Sequence, residues 1–279
     1  MKSIKTILVP TDFSDPANNA LAYAIAFAKE TKSNLILLHI YHIPMVSSRE
    51  SYQPSAEVAS NYLADANQQI KNLEQTVHEL QSVHYTIRLI PMNFPIEIPE
   101  IILSLQADLI IMGSNGAGKL REFILGSSTI SVIEAASCPV LAIPDQAQYS
   151  GIHHIGFAYE QDRIEDIHVL DFLVTLAKKF HAAIQVFHVY DQDHIPDSSA
   201  YTENTEALNT YFGNIKHPYA EFFEEDIEGG LSKFVEENNI DILAVIPKRR
   251  TLFFRLFKSH PAKKIFVYSQ VPLLAIPGK

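Results

Sequence analysis

The sequence predicts an α/β protein built as two tandem, doubly wound, parallel five-stranded sheets, and three observations carry that prediction. Short apolar runs alternate with amphipathic helical stretches, the pattern of a parallel sheet covered on both faces. The pattern occurs twice. Ala107-Asp108-Leu109-Ile110-Ile111-Met112 returns as Ile240-Asp241-Ile242-Leu243-Ala244-Val245, and Cys138-Pro139-Val140-Leu141-Ala142-Ile143-Pro144 returns as Val271-Pro272-Leu273-Leu274-Ala275-Ile276-Pro277, each 133 residues later. The length of 279 residues is enough for two such cores.

The first copy reads in order. Thr6 to Pro10 is a short apolar strand. Ser14-Asp15-Pro16 supplies a capping hydroxyl and an early proline, so a helix starts there. Ala20, Leu21, Ala24, Ile25 and Ala28 give that helix its apolar face. Asn34 to Tyr41 is the second strand. A polar stretch from Pro44 to Pro54 precedes a long helix reaching to about Gln81. Tyr85 to Met92 is the third strand, Ile96 to Gln106 the third helix, and Leu109 to Met112 the fourth strand. A helix over Thr129 to Ala136 and a strand from Val140 to Ile143 close the copy. The second copy begins near Gly151, where Ala177-Lys178 through Phe187-His188-Val189-Tyr190 parallels Ala28-Lys29 through Leu38-His39-Ile40-Tyr41. The domains expected are residues 1–146 and 151–279, joined by a hinge-like segment from Asp145 to Ser150.

Composition narrows the function classes. A net charge of -10 disfavours nucleic acid as a general partner. The single cysteine, Cys138, excludes an internal disulfide framework and reads as a small buried residue before a strand. The start of the chain leads straight into a strand rather than a secretory signal, and no apolar run reaches about 18 residues, so cytoplasm is expected.

The chemistry concentrates between the fourth and fifth strands. Met112-Gly113-Ser114-Asn115-Gly116 is followed, nine residues on, by Gly126-Ser127-Ser128 and a helix. Glycine lets backbone approach an oxyanion without a Cβ in the way, and a helix N-terminus offers free N–H groups to negative charge. Gly113 and Gly118-Lys119 almost spell a Walker loop. That motif needs a magnesium-binding hydroxyl next, and Leu120 has none. In doubly wound sheets ligands sit at the carboxyl ends of strands, where the strand order reverses. Pro10-Thr11-Asp12 ends the first strand and Met112-Gly113 the fourth, so one crevice is expected to hold both. Asp12 reads equally as a ribose or base acceptor and as a turn residue.

Ile7-Leu8-Val9-Pro10-Thr11-Asp12-Phe13-Ser14, the Gly113/Gly116/Gly126-Ser127-Ser128 pattern and the closing Cys138 to Pro144 segment together resemble the universal stress protein family in its tandem two-domain form. The resemblance implies a Rossmann-like, adenine nucleotide alpha hydrolase-like fold and ATP binding, with or without magnesium, with slow hydrolysis or none. It implies that Asp12 meets the adenosine end, that Pro10, Thr11, Ile40 and Met112 surround the nucleoside, and that Gly113, Gly116, Gly126, Ser127 and Ser128 surround the phosphates. A stress-response or signalling role follows from the same resemblance. Lys119 and Arg121 read as solvated surface charges rather than as phosphate ligands.

The second copy departs from this pattern. Ile246 stands at the Gly113 position, Arg249 at the Gly116 position, and Ser259-His260-Pro261 replaces Gly126-Ser127-Ser128. The Asp12 position falls near Glu160 or Gln161. Side chains there would block phosphate, so nucleotide is expected in the first copy alone. Between Lys248 and Lys264 lie seven basic residues and no acid, interleaved with Phe253, Phe254, Leu256 and Phe257. This run reads either as a solvated face or as a surface for an anionic partner. No histidine spacing resembles a zinc site, and no Ser-His-Asp order has a nucleophile turn, so no catalytic residue is assigned. The rival readings are a module for an apolar or anionic metabolite and a slow ATPase. The apolar closing strands Val140 to Ile143 and Leu273 to Ile276 are natural pairing edges, giving an intramolecular pseudo-dimer. The family resemblance also makes room for a homodimer of whole chains.

Overall fold

A computed structural model describes residues 3–43, 56–92, 98–114, 125–158, 166–190, 198–223, 233–247 and 271–278. In the first half, β1 (Thr6–Pro10) leads to α1 (Asp15–Thr31), β2 (Asn34–His42), α2 (Ala56–Thr76), a 3-10 helix (His78–Ser82) and β3 (Tyr85–Met92). Then follow α3 (Ile98–Ser104), β4 (Leu109–Gly113), α4 (Ser127–Ala135) and β5 (Val140–Ile143). The second half carries β6 (His154–Ala158), a 3-10 helix (Ile167–Leu170), α5 (Asp171–Phe180), β7 (Ala183–Tyr190), α6 (Ser198–Phe212), β8 (Tyr219–Phe223), a helical turn over 233–237, β9 (Ile242–Val245) and β10 (Leu273–Ala275).

The strand order is β3-β2-β1-β4-β5-β10-β9-β6-β7-β8. Each half therefore reverses its winding between its first and fourth strands, at β1–β4 and at β6–β9. Pairing is parallel throughout except at the centre, where β5 and β10 run antiparallel with Leu141 opposite Leu274. That ladder joins the two five-stranded parallel sheets into one ten-stranded sheet.

Alternation along the strands sorts side chains into two apolar layers. Ile7, Val9, Ile111, Ile155, Phe157 and Ile242 face α1, α5 and α6. Leu8, Ile110, Val140, Leu243 and Val245 face α3, α4 and the turn over 233–237. The first layer runs unbroken from one half to the other. In α1 the buried stripe includes Leu21, Ile25 and Phe27, each stabilising by about 1.5–3 kcal/mol relative to an exposed side chain. Its start follows the sequence reading: Ser14 is the N-cap with extended backbone, and its Oγ accepts the Ala17 N–H at 3.4 Å. Its end is a left-handed Lys32, mirrored by His181 at the end of α5.

Several boundaries differ from the sequence reading. The helix expected to reach Gln81 stops at Thr76. The Thr76 hydroxyl folds back onto the Asn72 and Leu73 carbonyls at 2.9 and 3.1 Å, Val77 leaves helical geometry, and a 3-10 turn buries Leu80 instead. β2 extends to His42, so Ile40 lies within it rather than beyond it. α3 ends at Ser104, and Gln106 follows in a left-handed conformation. α4 starts at Ser127, two residues earlier than its apolar pattern suggests. Cys138 is half-buried rather than buried, because its position before β5 lies at the sheet's rim.

The connector after β5 is fastened to α1. Asn19 Nδ2 donates to the Pro144 and Ala147 carbonyls at 2.9 and 3.0 Å, and the Tyr149 ring meets Tyr23 edge-on with centroids 5.0 Å apart. Ala147 is buried beneath it.

Candidate functional site

The site builds from the reversal between β1 and β4. Parallel register sets Leu8 beside Ile110, so two residues further on both chains leave the sheet at the same edge, as Pro10 and Met112. Pro10 also pairs with Leu38, which brings Ile40 of β2 to that edge.

The turn after β1 is tightly specified. Thr11 is buried; its N–H donates to the Leu38 carbonyl at 2.8 Å, and its hydroxyl accepts the Phe13 N–H at 3.0 Å. His39 Nδ1–H donates to the Thr11 carbonyl at 2.8 Å, and the His39 ring packs on Phe13 with centroids 4.4 Å apart. These contacts hold Phe13 at φ 63, a conformation uncommon for a non-glycine residue. Asp12 is exposed. Its Oδ1 accepts the Ser14 N–H at 3.1 Å and the Ser14 hydroxyl, which leaves Oδ2 turned to a ligand-accessible edge.

The β4 side is equally fixed. The Ser114 N–H donates to the Ile143 carbonyl at 2.8 Å, and the Gly126 N–H returns to the Ser114 carbonyl at 2.8 Å. The buried Thr129 hydroxyl spans the Gly113 and Ser114 carbonyls at 3.0 and 3.1 Å. α4 is thereby pinned so that its first turn, with exposed Ser127 and Ser128, begins beside the end of β4. N–H groups of a first helical turn have no intrahelical acceptor, so this end can donate to an anion. Gly113 lies in strand conformation and Gly126 has φ -60 and ψ 152, backbone geometries open to any residue. Backbone conformation therefore does not demand glycine at either position, whereas close approach of another group would.

Pro10, Thr11, Asp12, Ile40, Met112, Gly113, Gly126, Ser127 and Ser128 thus come together at one sheet edge. Gly116, Leu120, Lys119 and Arg121 lie outside the described residues. So do Arg249, Ser259, His260, Pro261 and the basic run from 248 to 264. Two residues important to the geometry were not singled out from the sequence: Thr129, whose only signal was its place third in a hydroxyl run, and His39, noticed only as a repeat partner of His188. In the second half, Ile246 follows β9 at the Gly113 position, and its side chain packs partly buried against the apolar layer.

A doubly wound sheet with a glycine-lined, helix-capped crevice at its reversal point defines an α/β small-ligand-binding protein. The chain belongs to the universal stress protein family, whose model matches residues 3–144. Over 152 residues it is 34% identical to universal stress protein MJ0577 of Methanocaldococcus jannaschii, a match covering 50% of this chain and 94% of that protein. Over 143 residues it is 33% identical to universal stress protein MJ0531 of the same organism, covering 50% and 81%. The fold of the whole chain matches the crystal structure of a universal stress protein from Archaeoglobus fulgidus, with TM-score 0.72, 18% identity and 99% of both chains covered. Among the described residues, no helix is long and apolar enough to cross a membrane.

Proposed function

We propose that this protein binds ATP in the crevice between β1 and β4, in the first half alone, and acts in stress response or signalling rather than as an efficient enzyme. The observation that carries the reading is the pair of glycines, Gly113 and Gly126, placed where backbone conformation does not require them and where the start of α4 offers N–H donors. In this reading Asp12 accepts from the adenosine, Pro10, Thr11, Ile40 and Met112 line the nucleoside, and Gly113, Gly116, Gly126, Ser127 and Ser128 cradle the phosphates. Magnesium would enter on those phosphates, since no described cluster of His, Cys, Asp and Glu is arranged to hold a metal ion. Ile246 at the position of Gly113 supports a second half that does not take nucleotide in this manner. The antiparallel β5–β10 ladder supports reading residues 1–146 and 151–279 as an intramolecular pseudo-dimer. The same proposal places the protein in the cytoplasm, leaves room for association of two chains, and gives the basic 248–264 run an anionic partner.

Calorimetric titration of ATP into the wild-type chain and into Gly116→Arg tests the assignment. Saturable binding lost by at least tenfold in the variant is the expected result. Equal affinity in both chains would sink the glycine-loop assignment, and no binding in either would sink the nucleotide reading. Phosphate release above buffer background would move the protein into the slow-ATPase class.

A further inference from the structure

A cavity of about 940 Å³ lies at the opposite edge of the first half's strands, between the two halves. It is bounded by the residues just before β1, β4 and β5, by Ile276 and Pro277 after β10, and by α5 with its preceding 3-10 turn. That volume falls within the range of about 300–1,000 Å³ usual for small-ligand pockets.

The internal repeat identifies what such a space accommodates. Counting back from the left-handed caps Lys32 and His181, His168 corresponds to Asn19 and Phe172 to Tyr23. Asp108 corresponds to Asp241, since each carboxylate accepts the two N–H groups that open the first strand of its half. Ile276 and Pro277 correspond to Ile143 and Pro144. His168, Phe172, Asp108, Ile276 and Pro277 all line the cavity. Around their counterparts the same space is filled, by the connector. Asn19 takes the Pro144 and Ala147 carbonyls, Ala147 is buried, and Tyr149 packs edge-on against Tyr23. One of two repeat-related spaces thus holds an extended peptide with an aromatic side chain, and the other is a cavity.

The two spaces differ in charge. The positions of Ala17 and Ala22 in the filled space are Asp166 and Asp171 in the cavity, and no lysine or arginine is among the described residues lining it. His168 keeps a ring nitrogen where Asn19 has its amide, and Phe172 keeps an aromatic face where Tyr23 has one.

We propose that this cavity is a docking groove for an extended, basic peptide segment of a partner protein. The partner's main-chain carbonyl meets His168, its aromatic side chain packs on Phe172, and its positive charge faces Asp166 and Asp171. The assignment is independent of the nucleotide reading, because the groove and the β1–β4 crevice lie at opposite edges of the same strands.

The probe is an acetylated, amidated hexapeptide copying residues 144–149 with Asp145→Lys and Gln148→Lys. The chain's one cysteine, Cys138, lines the groove and reports on it. The peptide is expected to slow alkylation of Cys138 in the native chain at least fivefold and saturably, and to shift the amide resonances of Phe172 and Thr175. Asp171→Lys, with its melting temperature unchanged, is expected to weaken that protection at least tenfold in peptide concentration. If Asp171→Lys fails to fold, the unmodified 144–149 sequence serves instead, and it should protect at least tenfold more weakly than the basic copy. Unslowed alkylation, resonance shifts elsewhere only, or equal protection by the basic and unmodified peptides would overturn the proposal.

Discussion

The His39 imidazole donates to the Thr11 carbonyl at 2.8 Å while its ring rests on Phe13, so one β2 side chain fixes the backbone turn that ends β1. His39→Phe keeps the ring contact and removes the donor. His39→Asn restores an N–H near the position of Nδ1. If the turn positions Asp12 for a nucleotide, the Phe variant should lose about tenfold in ATP affinity, one hydrogen bond's worth. The Asn variant should recover most of it. Titration of both variants alongside the wild type is the check, and equal affinity in all three would remove His39 from the site's architecture.

Thr129 bridges two carbonyls that no other described side chain reaches. Thr129→Val keeps the shape and leaves the Gly113 and Ser114 carbonyls without that donor, in a buried setting. The expected loss is about 1–3 kcal/mol in urea denaturation. The same variant should weaken ATP binding further than its stability loss predicts, because α4 is no longer pinned to the end of β4.

Asp108 and Asp241 perform one task in two places, each accepting a pair of backbone N–H groups: Lys5 and Thr6 for the first, His153 and His154 for the second. Alanine at either position should cost about 1–2 kcal/mol, and Asn less, since its amide oxygen keeps an acceptor. Chemical denaturation of the four single variants would show the matched pattern. A cost confined to one half would contradict the equivalence.

Gly156 lets two residues lie against β6. A Cβ there would meet Phe234 at 3.1 Å and Ile240 at 3.2 Å, and Phe234 is already stacked on Phe187 with centroids 3.9 Å apart. Gly156→Ala should therefore destabilise by about 1–3 kcal/mol, the usual cost of overpacking. A melting temperature equal to wild type would show that Phe234 yields freely.

Two tyrosines link stability to alkaline pH. Burial, then the Asp241 charge, raises the Tyr23 phenol above its ordinary value; burial, then Glu30, raises Tyr149. Folded, both stay protonated where the unfolded chain would release its protons at about pH 10. Unfolding then releases protons, so this contribution is fully present below about pH 9 and declines as pH rises beyond it. Urea midpoints measured between about pH 8 and 11 should fall, and Tyr23→Phe should flatten the fall.

The elements legible in the sequence were those whose signal is local. Ser14-Asp15-Pro16 marked the start of α1, and the period of Ala20, Leu21, Ala24 and Ile25 marked its buried face, because capping and periodicity depend on neighbours in the chain. The reversal point was legible for the same reason: strand order follows from the repeat and from crossover rules, and it gathers Thr11, Asp12, Gly113 and Gly126 at one edge. What was not legible depends on groups distant in sequence. Thr129 gains its role only when α4 folds back beside β4. His39 gains its role only when β2 lies against β1. The early end of α2 reflects a competition between the Thr76 hydroxyl and the helix backbone that an apolar pattern does not register. Asn19 fastening the connector required knowing that residue 144 returns to α1.

The Leu141–Leu274 ladder lies within one polypeptide, so its two sides are held at a fixed effective concentration and dilution cannot part them. The exposed edge that β5 would otherwise present to other molecules is closed as soon as the chain folds. Closing it asks only for three apolar residues in an extended run, Leu273 to Ala275. A duplicated half with that single obligation is free to exchange glycines for Ile246 and arginine, and its loops can diversify under selection without the first half losing its cover.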